Sequence, residues 1–209
     1  MTVTMGRATA RAARDTPEAL NAPLFRQLAE RFDETQRHVV LDLGAASTPM
    51  LSLLGRSPSR VEIADLAAGA VIERLNAAAP GDELDALAES SLPGHDGSEP
   101  VDLVFCWDLP NYLAPRAASA LMWAIAARAR AGALAHALVV YAERGMPERP
   151  GRYVPGDDNR LVDRGVRAGE IAAPRYSPEA FGQLMHPFTV DRVRLLANGM
   201  QEYLLCLKP

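Results

Sequence analysis

The chain has 209 residues, of which 48% are apolar and 23% charged, with a formal net charge of −4. This length and composition predict one globular domain with a sizeable core, and the acidic balance disfavours a nucleic-acid binder, which needs a basic surface. Two cysteines are too few for a disulfide framework, and no run approaches the roughly 18 apolar residues of a membrane span. These totals predict a cytoplasmic protein with no membrane association.

The first 20 residues differ in composition from the rest of the chain. Their first 14 residues contain three arginines and no acid, and no apolar segment typical of a secretory signal follows. An organelle transit peptide has a similar composition, so both interpretations stay open. We expect residues 1–20 to form a disordered arm and residues 21–209 to form a single domain.

Helical stripes and short apolar runs alternate along residues 21–186. The predicted helices cover 21–36, 48–55, 66–79, 115–131 and 177–186. The predicted strands cover 38–44, 60–65, 101–107, 133–143, 188–196 and 201–209. Residues 81–100 are rich in turn formers and fit either a short helix or a short strand.

The last two predicted strands are joined through Asn198-Gly199, which is a strong hairpin signal because a type I′ turn needs two residues of positive φ. The alternation before them predicts a doubly wound α/β fold. Its sheet is mostly parallel with helices on both faces, and the C-terminal antiparallel hairpin forms one edge. An exposed hairpin edge also offers a homodimer contact.

Acidic residues stand at the ends of three predicted strands. Asp42 is followed by Gly44, Asp65 ends the next strand, and Asp108 follows the strand 101–107. Ligands of doubly wound sheets lie beyond the carboxyl ends of the strands. A carboxylate there can accept two hydrogen bonds from a ribose diol, and a glycine lets the backbone approach a ligand closely.

This set of residues resembles the class I S-adenosylmethionine-dependent methyltransferases, over roughly residues 21 to 209. In that family the first strand ends in an acid followed by alternating glycines, the second ends in a ribose-binding acid, and the fourth ends in an acidic or polar residue near the methyl group. The glycine motif is degenerate here, because Ala46 and Thr48 replace the later glycines.

The resemblance implies S-adenosylmethionine as the cofactor and a set of residues that contact it. The implied cofactor-binding residues are Asp42, Gly44, Ala45, Ala46, Ser47, Asp65, Cys106 and Trp107. Asp108 and Tyr112 are the implied catalytic residues, with Asp108 nearest the methyl group. The plainer alternatives are that Asp42 and Gly44 only end a strand and that Trp107 is a core residue. The four histidines are scattered, so no metal site is predicted.

Residues 144–176 are expected to be a loop insertion on the substrate side, as is common in this family. Arginines and tyrosines there can hold an acidic or aromatic substrate, and a solvated loop has the same composition. They are Arg149, Arg152, Tyr153 and Tyr176, beside Asp157 and Asp158.

Two functions follow from the resemblance. The first is methyl transfer to a small-molecule or protein acceptor, and it predicts an open cleft floored by Gly44 and Ala46, with Asp65 facing into it. The second is a non-catalytic methyltransferase-like binding or regulatory subunit that has lost cofactor binding. It predicts bulky side chains in the adenosyl pocket.

Overall fold

A computed structural model describes residues 18–33, 35–95, 97–165 and 169–208. Its helices are α1 (Pro23–Glu30), α2 (Thr48–Leu54), α3 (Val71–Ala77), α4 (Asp82–Ser90), α5 (Pro115–Ala126) and α6 (Pro178–Leu184). Its strands are β1 (Glu18–Leu20), β2 (His38–Asp42), β3 (Ser59–Ile63), β4 (Val101–Trp107), β5 (Ala129–Val140), β6 (Gly145–Pro147), β7 (Tyr153–Pro155), β8 (Leu161–Asp163), β9 (Glu170–Ala172), β10 (Phe188–Leu195) and β11 (Met200–Leu207). Within the described ranges, no helix is long and apolar enough to cross a membrane.

Six strands form the central sheet, in the order β10-β11-β5-β4-β2-β3. Strands β2 to β5 are parallel to one another, while β11 pairs antiparallel with both β5 and β10. The predicted doubly wound sheet with a C-terminal antiparallel hairpin is therefore confirmed. The parallel strands β2, β3 and β4 end at the same edge, which brings the predicted acids to one side of the molecule.

Helices cover both faces of this sheet, as the sequence predicts. Helices α3 to α6 enclose one apolar cluster, and α1 and α2 enclose the other. Side chains of β4 alternate between them, so Cys106 belongs to the first cluster and Phe105 and Trp107 to the second.

Several boundaries differ from the predicted ones. The helix expected over 115–131 ends at Ala126, and the next strand begins at Ala129. The helix expected over 66–79 is shortened to Val71–Ala77, because Gly69 turns the chain at φ +62° before it. The ambiguous segment 81–100 contains a helix, and three acids in its first turn complement the helix dipole.

The hairpin turn differs from the predicted type. A type I′ turn needs positive φ at Asn198 and Gly199, and only Gly199 has it, at φ +84°. The Gly199 N–H donates to the Leu196 carbonyl, so residues 197–199 form a three-residue loop that ends in a left-handed glycine. The Asn-Gly signal located the hairpin correctly but assigned the wrong turn geometry.

Residues 145–165, which we call the strap, are more ordered than the predicted loop. They contain β6, β7 and β8, and β8 pairs with both β7 and β1 in a small antiparallel sheet. The N-terminal segment is therefore tied to the strap at Glu18–Leu20. The rest of the predicted disordered arm, residues 1–17, lies outside the described residues.

The N-terminus of α1 is anchored by a buried carboxylate from the hairpin. The backbone N–H groups of Leu24 and Phe25 donate to Glu202 at 2.9 and 2.7 Å, and His136 Nε2 lies 3.0 Å from the same side chain. These N–H groups have no partner within the helix, and the helix dipole favours an anion at this end. His136 is thus a fully buried residue that is hydrogen-bonded through Nε2.

We expect the substitution Glu202→Gln to lower the free energy of unfolding by about 2–4 kcal/mol, because the amide supplies only one acceptor oxygen for the two helix N–H groups. Urea denaturation followed by circular dichroism measures this loss. Glu143→Gln, at an exposed glutamate, is the matched control and is expected to stay within about 0.5 kcal/mol of the parent protein. Equal losses in the two variants would contradict the anchoring role of Glu202.

Candidate functional site

The first predicted motif, at the end of β2, is in contact with the end of β4. Asp42 Oδ1 accepts a 2.9 Å hydrogen bond from the Gly44 N–H and a 2.6 Å hydrogen bond from Trp107 Nε1. A Cβ placed on Gly44 would lie 2.7 Å from that nitrogen and 2.8 Å from Trp107 Cδ1. The indole therefore lies directly against the glycine, which has to lack a side chain for this contact to form.

Trp107 is held in this position by three aromatic neighbours. Its ring stacks on Phe105 at 5.1 Å and on Tyr153 at 5.9 Å, with interplanar angles of 14° and 16°. Phe25 of α1 packs against the ring at a centroid distance of 5.9 Å. The side chain is only 3% exposed, and its backbone has φ +52°, a left-handed conformation that is rare for a bulky residue.

Asp108 follows Trp107 and is covered by the strap. The Gly151 N–H lies 3.2 and 3.0 Å from the two carboxylate oxygens, and the Tyr153 hydroxyl donates to Oδ2 at 3.3 Å. Asp163, at the end of β8, accepts hydrogen bonds from the Arg152 and Gly165 N–H groups and so shapes the same part of the strap. Asp108 is 5% exposed, so solvent hardly reaches this predicted catalytic residue.

Tyr112, the second predicted catalytic residue, is also engaged with the strap. Its hydroxyl lies 3.0 Å from the Pro147 carbonyl oxygen and 2.8 Å from that of Arg149. Asn111, beside it, is buried and bonds the backbone of Asp108, Leu138 and Val140. The hydroxyl of Tyr112 thus fastens the strap to the turn after β4.

The remaining predicted residues of the cofactor turn lie nearer the surface. Gly44 and Ala45 are half-buried and Ala46 is exposed. Ser47 Oγ caps α2 by accepting the Met50 N–H at 3.3 Å. The turn thus faces solvent on the side away from Trp107.

Asp65 lies at the end of β3 in a left-handed backbone conformation with φ +44° and is half-buried. The Ala64 N–H donates to the Asp42 carbonyl at 2.8 Å and the Leu66 N–H to the Leu43 carbonyl at 3.0 Å, so the two acids are near each other, as the predicted topology requires. Cys106 does not join them, because its side chain lies in the core on the opposite face of β4. Burial raises the pKa of the Cys106 thiol to about 12.

Both acids at the ends of β2 and β4 have altered proton affinity. Burial raises the pKa of Asp42 to about 6, although the hydrogen bonds from Trp107 and Gly44 oppose the shift. Burial, reinforced by the nearby charge of Asp163, raises the pKa of Asp108 to about 7 against the opposing hydrogen bonds from Gly151 and Tyr153. No cluster of three or more potential metal ligands occurs among the described residues.

Sequence reasoning named Tyr153 only as one of several loop residues and did not find Asp163 or Gly151. No local pattern marks these residues, because their roles arise from contacts between the strap and β4 across more than 40 positions of the chain. The proline and glycine content of the segment indicated a loop insertion but not which of its residues contact Asp108.

The sheet order, the two helical layers and the terminal hairpin define the class I methyltransferase fold. The structure is similar to a Burkholderia thailandensis 1,6-didemethyltoxoflavin-N1-methyltransferase with 1,6-didemethyltoxoflavin and S-adenosylhomocysteine bound, with a TM-score of 0.50 and 16% identity over 90% of this chain and 80% of that one. It is also similar to an S-adenosylmethionine-dependent methyltransferase from Clostridium acetobutylicum ATCC 824, with a TM-score of 0.52 and 12% identity over 90% of this chain and 91% of that one.

No protein-family model and no curated protein sequence matches the chain. The structural likeness therefore establishes the fold, while the chemistry has to be argued from the site. S-adenosylmethionine is the cofactor that the fold implies.

We expect the buried Asp108 carboxyl to make stability depend on pH. Its pKa rises from 3.8 to about 7 on folding, so between these values the folded protein binds a proton more tightly than the unfolded chain. Stability is then highest below pH 4 for this group and falls as the pH rises to about 7, by on the order of 2 kcal/mol between pH 5 and pH 8. Urea unfolding at these two pH values, compared between the parent protein and Asp108→Asn, isolates the effect.

Asp157→Asn, at an exposed position of the same strap, is the control and is expected to keep the pH dependence of the parent protein. If the free energy of unfolding changed by the same amount between pH 5 and pH 8 in Asp108→Asn and in the parent protein, the prediction would be wrong. Asp108 would then titrate as an ordinary carboxyl.

Proposed function

We propose that this chain is a non-catalytic methyltransferase-like binding protein, in which the Trp107 side chain occupies the space of the cofactor's amino-acid end. The observation that carries this proposal is the contact of the indole with Gly44. Its ring atoms lie 2.7 and 2.8 Å from the position that a Cβ of Gly44 would take.

The space available to S-adenosylmethionine is limited by this contact. The family resemblance places the amino-acid end of the cofactor over residues 44–47, where glycine permits close approach. That space above Gly44 holds the indole, and Trp107 Nε1 already donates to the acid of the motif. In this conformation the residues present therefore do not fit the amino-acid end of the cofactor, and the proposal includes no methyl-transfer step.

The acceptor side supports the same proposal. A methyl acceptor has to reach the edge near Asp108, and this carboxylate is covered by Gly151 and Tyr153. In-line displacement depends chiefly on bringing donor and acceptor together. Here the Trp107 ring occupies the cofactor's side of the site and the strap covers the acceptor's side. Donor and acceptor therefore cannot come together without a rearrangement.

The second candidate is methyl transfer by S-adenosylmethionine after such a rearrangement, to a small-molecule or protein acceptor. The observation that favours it is the left-handed backbone of Trp107, because strained conformations of bulky residues concentrate at switch regions and active sites. Ala46 and Asp65 are also accessible enough to contact an adenosine. In this candidate Asp65 would hold the ribose, and Asp108 would lie nearest the methyl group.

Isothermal titration with S-adenosylhomocysteine tests the proposal. We expect no binding by the parent protein at concentrations up to about 1 mM. Trp107→Ala removes the ring that fills the space above Gly44 and is expected to bind measurably, in a manner abolished by adding Asp65→Ala. A large-to-small change of this kind costs roughly 3–5 kcal/mol of stability, so an unfolding curve has to accompany each titration.

Trp123→Ala is the matched control, because Trp123 is 54% exposed on α5. It is expected to bind no better than the parent protein. Micromolar binding by the parent protein that Asp65→Ala abolishes would refute the proposal and favour the methyltransferase candidate.

A further inference from the structure

A second concave surface lies at the carboxyl end of β5, where the segment 144–176, predicted to lie on the substrate side, ends. It is a groove of about 420 Å³, within the range of roughly 300–1,000 Å³ typical of small-ligand pockets. Tyr141 and Ala142 form one wall. The opposite wall is formed by residues 175–178, which lead into α6.

Both walls are held in place by backbone hydrogen bonds. The N–H groups of Tyr141 and Ala142 donate to the Gly199 carbonyl at 3.2 and 3.0 Å. On the other side Ser177 caps α6 by accepting the Ala180 N–H at 3.1 Å. The groove is thus formed before any ligand arrives, which reduces the ordering cost of binding.

The charge of the groove comes from Arg175, which among the described lining residues is the only ionisable one besides the tyrosines. This side chain is exposed and makes no hydrogen bond or ion pair with any residue that the structure describes. Its backbone is left-handed, with φ +54°, a conformation that is uncommon for residues other than glycine. A guanidinium in this state is available for the planar, two-point hydrogen bonding that suits a carboxylate.

The tyrosines supply aromatic surface beside this cation. Tyr141 is 43% exposed, a large fraction for an aromatic side chain. Tyr176 is half-buried and packs on Phe181 at a centroid distance of 6.1 Å. Burial raises the pKa of Tyr176, so its hydroxyl stays protonated at neutral pH.

We propose that this groove binds a small aromatic carboxylate, with the carboxylate on Arg175 and the ring against Tyr141 and Tyr176. Aromatic rings attract one another in offset and edge contacts, and the charge-assisted hydrogen bond fixes the orientation of the ligand. The inference is independent of the cofactor site, because none of the lining residues belongs to the β2 and β4 motifs.

The test compares 4-hydroxybenzoate with its neutral amide, 4-hydroxybenzamide, by isothermal titration and saturation-transfer NMR on the full chain. For a ligand of this size we expect a dissociation constant on the order of 1 mM for the carboxylate and at least about tenfold weaker binding of the amide. Arg175→Gln is expected to weaken carboxylate binding about tenfold, and Tyr141→Ala to weaken both ligands.

Arg74→Gln, at an exposed arginine on α3, is the matched control and is expected to leave affinity within about twofold. Equal binding of the carboxylate and the amide, or unchanged affinity in Arg175→Gln, would overturn the proposal, as would no binding up to about 10 mM. If inorganic phosphate bound as tightly as 4-hydroxybenzoate, the proposed contact of the ligand ring with the two tyrosines would be wrong. A cofactor titration of Arg175→Gln keeps the two proposals separate, because its result is expected to match the parent protein.

Discussion

The hydrogen bond between the Trp107 indole and Asp42 joins the two motifs on which the rest of the candidate site depends. It connects the first strand-turn of the sheet to the end of β4, and it does so through a donor and an acceptor that are both buried. A buried carboxylate is costly unless it is hydrogen-bonded, and the indole N–H supplies part of that compensation. Gly44 makes the arrangement possible, since any side chain there would collide with the ring.

The strap is positioned on top of this contact. Tyr153 lies flat on the indole, and its hydroxyl reaches the carboxylate of the next residue, Asp108. The same strand, β7, pairs with β8, and β8 pairs with β1 near the N-terminus. Moving the indole away from Gly44 would therefore disturb the aromatic stack, the cover over Asp108 and a three-stranded sheet together. This coupling explains how a strained backbone at Trp107 is maintained, because the surrounding contacts offset its cost.

The fold could be predicted from the sequence because its signals are local or topological. Periodicity indicates strands and helices, and parallel strands place Asp42, Asp65 and Asp108 at one edge whatever the details of packing. A period of two along β4 also shows that Cys106 and Trp107 point to opposite faces, so both side chains cannot line one pocket. That inference was accessible from the sequence and bears against Cys106 as a cofactor contact.

The occupancy of the site could not be predicted, because it is decided by side-chain orientation and by long-range contacts. A turn that contains Asp42 and Gly44 has the same sequence whether the space beside Gly44 is open to a cofactor or holds an indole. What differs is the orientation of the Trp107 side chain, which depends on its stacking with Phe105 and Tyr153. Residues 144–176 gave no periodic signal for their short strands, since strands of three residues are too short to show one.

The acids at this edge of the sheet also differ from the acids of a cation-binding site in their availability to a ligand. A sulfonium cofactor is favoured by carboxylates and aromatic faces that remain available to it. Here Asp42 Oδ1 accepts two hydrogen bonds from the protein, and the indole stacks on the rings of Phe105 and Tyr153. The raised pKa of Asp108 further reduces its negative charge near neutral pH. The aromatic and acidic groups at this edge are thus engaged with one another, while Arg175 and the two tyrosines beyond β5 remain accessible.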